Sequence, residues 1–299
     1  MLRPYEGPAR VIVGYDGSED ADRALHYGAA EAVVRDADLV LVNAVDDMVL
    51  NSAWGVVFDP DTIRGAALDL LAGAVEQAAQ GGVARDRIRT DVGLGNPAAV
   101  LAGHSETASL IVLGCRSVVD GERAFVGSTA VGLAGTSHCP VIAVSARQQQ
   151  REERAGVIGV GVNTAAKGAI ALEWALQECE AHGGSVVVIS VAKAAAGRLF
   201  RTGAVPPEVQ EELIKVTRER IAEMVRPLAE AHPSVKIDLD VSYGNPLDVL
   251  IERSENLDLV VVEVHTSFPT YSVGGVTRGL MTHALCPVGT IRARDSHGS

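Results

Sequence analysis

The sequence predicts an α/β fold made twice over: two tandem, doubly wound domains, each built around a mostly parallel five-stranded sheet. Three observations carry that prediction. The chain repeats itself at an offset of 147 to 149 residues. Val11-Ile12-Val13-Gly14-Tyr15-Asp16 returns as Ile158-Gly159-Val160-Gly161-Val162-Asn163, Gly95-Asn96-Pro97 as Gly244-Asn245-Pro246, and Cys139-Pro140-Val141 as Cys286-Pro287-Val288. A period that long is a whole domain, since solenoid units repeat every ~20–50 residues. Within each copy, short β-branched runs alternate with longer stretches of helical period, the pattern of parallel strands joined by helical crossovers. Finally, 299 residues give each copy enough chain to bury a core of its own.

Taken in order, the strands of the first copy fall at residues 11–15, 39–45, 88–93, 110–114 and 141–144. Ser18 is the N-cap expected for the first helix, which carries Ala21, Leu25, Ala29 and Ala32 on one face to lie against the sheet. An insertion at residues 46–61, with Trp54 and Phe58, follows strand two. It reads as a lid over a pocket or as a dimer surface. After strand three, Gly93-Leu94-Gly95-Asn96-Pro97-Ala98 fits the weaker dinucleotide fingerprint. In the second copy only Gly-Asn-Pro persists, preceded by Tyr243, so a strand-to-helix turn with Pro near the first helical position explains it better. The boundaries predicted are residues 1–147 for the first domain, a polar linker at 148–155, and 156–299 for the second. The second copy repeats the order, with strands at 157–162, 185–191, 236–241, 259–262 and 288–291 and an insertion at 192–207.

Composition excludes several classes. A net charge of −12 and a pI near 5.1 offer no basic face for a phosphate backbone, so no nucleic acid partner is expected. Met1-Leu2-Arg3-Pro4-Tyr5-Glu6 holds no apolar leader core, and no stretch approaches the ~18 uncharged apolar residues of a membrane span. A cytoplasmic protein without a membrane partner is expected. Cys115, Cys139, Cys179 and Cys286 are scattered and read as buried thiols, not as a disulfide framework or a zinc site. The eight histidines show no metal-ligand spacing, and G-x-x-x-x-G-K-[ST] does not occur, so neither a metal site nor a P-loop is expected.

Ligands of open parallel sheets bind beyond the carboxyl ends of the strands. Strand one there runs into Asp16-Gly17-Ser18, and strand four into Gly114-Cys115-Arg116-Ser117. Gly127-Ser128-Thr129 then opens the next helix. A loop poor in side chains, together with a helix N-terminus bearing hydroxyls, presents several backbone N–H groups to an anion, helped by the helix dipole. That is phosphate-binding chemistry.

The whole chain, from about Ala9 to Ile291, resembles the universal stress protein family in its tandem form. The resemblance rests on Val-Gly-Tyr-Asp-Gly-Ser at 13–18, Gly-Asn-Pro at 95–97, Leu-Ile-Val-Leu-Gly at 110–114, Gly-Ser-Thr at 127–129 and Cys-Pro-Val-Ile-Ala-Val at 139–144. It implies a Rossmann-like domain of the adenine nucleotide hydrolase type, with a last strand that pairs antiparallel at its edge. ATP-binding members carry G-x-x-G-x₉-G-[ST]; the first copy reads Gly114-x-x-Ser117-x₉-Gly127-Ser128, with one glycine become serine.

Carried over residue by residue, the resemblance implies ATP, with or without Mg, as the cofactor of the first copy. Asp16 and Gly17 would meet the nucleotide after strand one and Ala44 the adenine, while Gly114, Arg116, Ser117, Gly127, Ser128 and Thr129 would hold ribose and phosphates. In the second copy Asn163 matches Asp16, Glu263 matches Gly114 and Gly275 matches Ser128. A carboxylate there repels phosphate and fills space that glycine leaves open, so this copy is expected to bind ATP weakly or not at all. Phosphoryl transfer needs a metal clamp and a positioned base. With Asp16 the obvious carboxylate in the first pocket, no catalytic residue is assigned and at most slow hydrolysis is expected. The function implied is a nucleotide-dependent regulator in the stress response, acting on a protein partner the sequence does not name. Its alternatives are a nucleotide-free interaction or scaffold protein and a slow ATPase. The last strands, 141–144 and 288–291, match the element through which family members pair. An internal pseudo-dimer and a homodimer of tandem chains are therefore implied.

Overall fold

Val11, Ile12 and Val13 are β-branched, consecutive and almost wholly buried, so the first strand is covered on both faces, as strands of parallel sheets are. It is β1, Arg10–Gly14. The structure is a computed structural model and describes residues 9–45, 60–115, 126–145, 155–164, 167–193, 205–265 and 273–293. Arg116, Ser117, Trp54, Phe58 and most of both long insertions lie outside these residues.

In chain order, α1 (Glu19–Val34), β2 (Asp38–Val45), α2 (Pro60–Gln80), β3 (Ile88–Leu94), α3 (Pro97–His104), β4 (Leu110–Gly114), α4 (Ser128–Thr136) and β5 (Val141–Val144) complete the first sequence copy. The second runs β6 (Val157–Val162), α5 (Ala169–His182), β7 (Ser185–Ala192), α6 (Pro207–Ala231), β8 (Lys236–Tyr243), α7 (Pro246–Ser254), β9 (Leu259–Val264), α8 (Gly275–His283) and β10 (Val288–Arg292). All ten strands stand where the sequence placed them. Strand one lies one residue earlier than expected, taking in Arg10 and ending before Tyr15, whose N–H still donates to Val42 O at 2.9 Å as the chain leaves the sheet.

The chain forms two compact units whose limits are not those of the repeat. One takes Met1–Gln148 with Val264–Thr282 and Gly289–Ser299; the other takes Gln149–Glu263 with His283–Val288. In the first unit the strand order is β3-β2-β1-β4-β5-β10. β1 pairs in parallel with both β2 and β4, Val11 standing opposite Leu39 and Leu110. The order reverses between β1 and β4, as in doubly wound sheets. β5 has β4 on one side and β10 on the other, and the otherwise parallel fold has one antiparallel pairing. In the second unit the order is β9-β6-β7-β8, again with parallel pairs. The α1 face anticipated from spacing, Ala21, Leu25, Ala29 and Ala32, is buried throughout. Its small residues let the helix lie close to β1 and β4, so the N-terminus of α1 sits beside the end of β4.

Candidate functional site

Beyond Tyr15 the chain makes two nested side-chain caps. Asp16 Oδ1 accepts from Ser18 N–H at 3.1 Å, and Ser18 Oγ accepts from Ala21 N–H at 3.2 Å, which opens α1 as the sequence suggested. Asn43, 8% exposed on β2, donates from Nδ2 to Tyr15 O at 2.8 Å and fixes the end of β1 against β2. The Tyr15 hydroxyl donates to Asp22 Oδ1 at 2.6 Å; burial first, and then this hydrogen bond to a carboxylate, push its pKa up to about 12. Asn43 was missed at the level of sequence, although a lone amide inside the apolar run Leu39-Val40-Leu41-Val42-Asn43-Ala44 is a usable signal.

Two further helices converge here. Asn96 Oδ1 accepts from Ala98 and Ala99 N–H at 3.0 and 3.2 Å, capping α3 with Pro97 in its first turn, so the dinucleotide reading of this glycine pair is not needed. α4 differs: its N-cap is Gly127, and among the described residues no side chain caps its first amides. The ends of β1, β2 and β4 and the N-termini of α1, α3 and α4 together enclose a cavity of about 320 Å³, at the low end of the ~300–1,000 Å³ usual for small-molecule sites. It lies at the β1/β4 reversal, where doubly wound sheets bind ligands.

Of the residues singled out in the sequence, Asp16, Ala44, Gly114, Gly127, Ser128 and Thr129 line this cavity. Gly17 does not. Its φ of +78° makes the left-handed turn into α1, and a Cβ there would meet Leu70 Cδ1 at 2.8 Å. Val42, Leu101 and Leu113 supply an apolar wall that sequence reasoning did not name. Asp20, 9% exposed, also lines it and is paired with Arg23 at 2.7 Å. Among the described lining residues the charges are carboxylates only, so an anion here has backbone amides and the α4 dipole to hold it. Among the described residues no group of three His, Cys, Asp or Glu could hold a metal ion.

The two glycines of the loop are glycines for different reasons. A Cβ on Gly114 would lie 2.7–2.9 Å from the backbone and Cβ of Asp20, so α1 itself forbids a side chain there. On Gly127, at φ −59°, a Cβ would meet nothing within 4 Å among the described residues. The space expected at Gly114 is therefore taken by α1, while that at Gly127 is free of the described residues.

The same comparison revises the account of Glu263. α1 begins three residues after Asp16, whereas α5 begins six after Asn163. The longer loop closes on itself: Asn163 N–H donates to Lys167 O at 3.0 Å, and Lys167 N–H donates to Asn163 Oδ1 at 3.2 Å. Gly168 then turns with φ +107°, and the N–H groups of Gly168 and Ile170 both donate to Glu263 Oε2 at 3.0 Å. Glu263 thus caps α5 from β9, in place of a local serine. The carboxylate is a built-in partner of the helix N-terminus, not merely a repulsive charge in an open site.

A family model described as Universal stress protein family matches residues 8–145 and again 156–292. A universal stress protein of Mycolicibacterium smegmatis is 25% identical over 296 residues, covering 95% of this chain and 97% of its own. One from Mycobacterium tuberculosis is 26% identical over 300 residues, covering 96% and 97%. Among solved structures, a universal stress protein from Archaeoglobus fulgidus superposes with a TM-score of 0.68 at 16% identity, covering 95% of this chain and 98% of that one. Two matches to one model over most of the chain, on a fold of the same kind, make this protein a tandem member of the universal stress protein family.

Proposed function

We propose that this protein is a nucleotide-dependent regulator of the stress response that binds one ATP per chain, in the cavity of the first copy. The observation that carries the reading is the N-terminus of α4. Among the described residues its amides have no side-chain cap, and it opens into the cavity behind a glycine whose missing Cβ would meet no described atom within 4 Å. The helices on either side of it, α1 and α3, are both closed by their own side chains. An uncapped helix end at a sheet's reversal point suits a phosphate. Adenine would lie on the apolar side formed by Val42, Ala44 and Leu101, with Asp16 accepting from its amino group or from the ribose hydroxyls. Gly127, Ser128 and Thr129 would hold the phosphates from backbone and hydroxyl donors. Arg116 and Ser117, from the same signature, would complete their enclosure.

The second copy is proposed to bind no nucleotide, because Glu263 already holds the amides at the start of α5 and the loop before them is closed on itself. Mass spectrometry of the nucleotide released by denaturing freshly purified protein, beside calorimetric titration with ATP, tests both halves. Close to one ATP per chain is expected. Two per chain would mean that Glu263 leaves the second copy open, and none would make the protein a nucleotide-free interaction module.

A further inference from the structure

α4 is a poor helix by itself. It has nine residues, Gly132 and Gly135 in its interior, and three β-branched residues, Thr129, Val131 and Thr136. Helices that short are marginal in water, and glycine weakens them further, so the order of α4 must be imposed from outside. At its carboxyl end the support comes from β10. Arg292 Nη1 donates to Thr136 O at 3.0 Å and to Gly135 O at 3.4 Å, the last carbonyls of the helix. Its backbone is anchored, since Thr290 and Ile291 are buried and Thr290 Oγ1 donates to Val141 O at 3.4 Å. A second tie reaches the other side of the loop: the buried Cys115, next to Gly114, donates from Sγ to Met281 O on α8 at 3.4 Å.

The repeat makes this one-sided. With Cys139-Pro140-Val141 aligned on Cys286-Pro287-Val288, Arg292 corresponds to Ser145. The cation stands at the end of the helix whose N-terminus opens into the cavity, and the other copy has serine at that place. A guanidinium on the last carbonyls complements the negative end of the helix dipole, and the far end of the helix is only about 13 Å away at 1.5 Å per residue.

We propose that Arg292, supplied by the second sequence copy, is a positioning residue for the phosphate site at the N-terminus of α4. It holds the donors in place without touching the ligand. This rests on the nucleotide reading above. The test compares wild type, Arg292→Gln and Arg292→Lys in calorimetric titrations with ATP and with adenosine, beside hydrogen exchange of residues 128–136 without ligand.

Arg292→Gln is expected to weaken ATP about three- to fivefold, the size of a helix-dipole effect, and to leave adenosine unchanged, because only the phosphates meet α4. Arg292→Lys, which keeps the charge, should recover most of the ATP affinity. ATP and adenosine weakening alike, or ATP affinity unchanged, would overturn the inference. If the wild type binds neither, the nucleotide reading fails and the inference with it. Exchange in residues 128–136 reports separately on the helix: it should quicken in Arg292→Gln, and unchanged exchange would remove the positioning role whatever the protein binds.

Discussion

At Gly127 the helix lacks a cap that an ordinary side chain would provide, and that makes a substitution able to separate stability from binding. Gly127→Asp places a carboxylate where the backbone conformation permits it and none of the described residues obstructs it. It would accept from the amides of α4 and complement the helix dipole, stabilising the fold by about 0.5 kcal/mol. The same carboxylate would stand where the phosphates are proposed to lie, so ATP affinity should fall by at least about tenfold. A thermal melt that rises or holds while the titration signal disappears is the expected pair of results. Gly114→Ala should do something else: with α1 backbone 2.7 Å from the new Cβ, overpacking costs about 1–3 kcal/mol with or without ligand. Urea denaturation of the ligand-free protein checks that, and an unchanged midpoint would refute the close approach of α1 to β4.

Among the elements, α5 depends on a residue from a distant strand. Glu263→Ala leaves the amides of Gly168 and Ile170 without their acceptor, and a loss of about 1 kcal/mol is expected, with faster hydrogen exchange in the first turn of α5. No second ATP should appear, because the loop from Asn163 to Lys167 remains closed.

That partnership also marks where sequence reading ran out. Strand positions were legible because a buried parallel strand writes itself as a run of Val, Ile and Leu, and the cap at Ser18 and the turn at Gly95-Asn96-Pro97 were legible because their parts are neighbours in sequence. Asp16, Gly114 and Gly127 were named from motifs at strand ends and a helix start, and Ala44 from the family resemblance; all four line the cavity. The Glu263 cap joins residues 93 and 95 positions apart, and no local pattern announces it. Nor does composition distinguish a glycine required by a neighbouring helix, as at Gly114, from one that no described residue crowds, as at Gly127. Asp20 and Leu101 escaped notice because each belongs to an ordinary helix pattern and only the convergence of three helix N-termini brings them to one cavity.

For the molecule as a whole, buried thiols set an alkaline limit. Burial raises the thiols of Cys115 and Cys139 from an ordinary 9.0 to about 12 and that of Cys179 to about 11. In the unfolded chain they ionise near 9, so stability is intact below that pH. It declines by up to about 1.4 kcal/mol per pH unit for each thiol until the folded values are reached. Urea midpoints should therefore fall steeply between pH 9 and about 11, and Cys139→Ala should flatten the fall. A midpoint independent of pH in that window would contradict the burial of these groups.

Carrying the domain twice in one polypeptide has a consequence beyond architecture. In an assembly of identical chains every substitution is written into all the sites at once, so a residue useful on one side and harmful on the other cannot persist. Here Glu263 faces no counterpart at Gly114, and Arg292 none at Ser145. A tandem chain lets each half carry a residue absent from its twin, an asymmetry that an assembly of identical chains cannot hold.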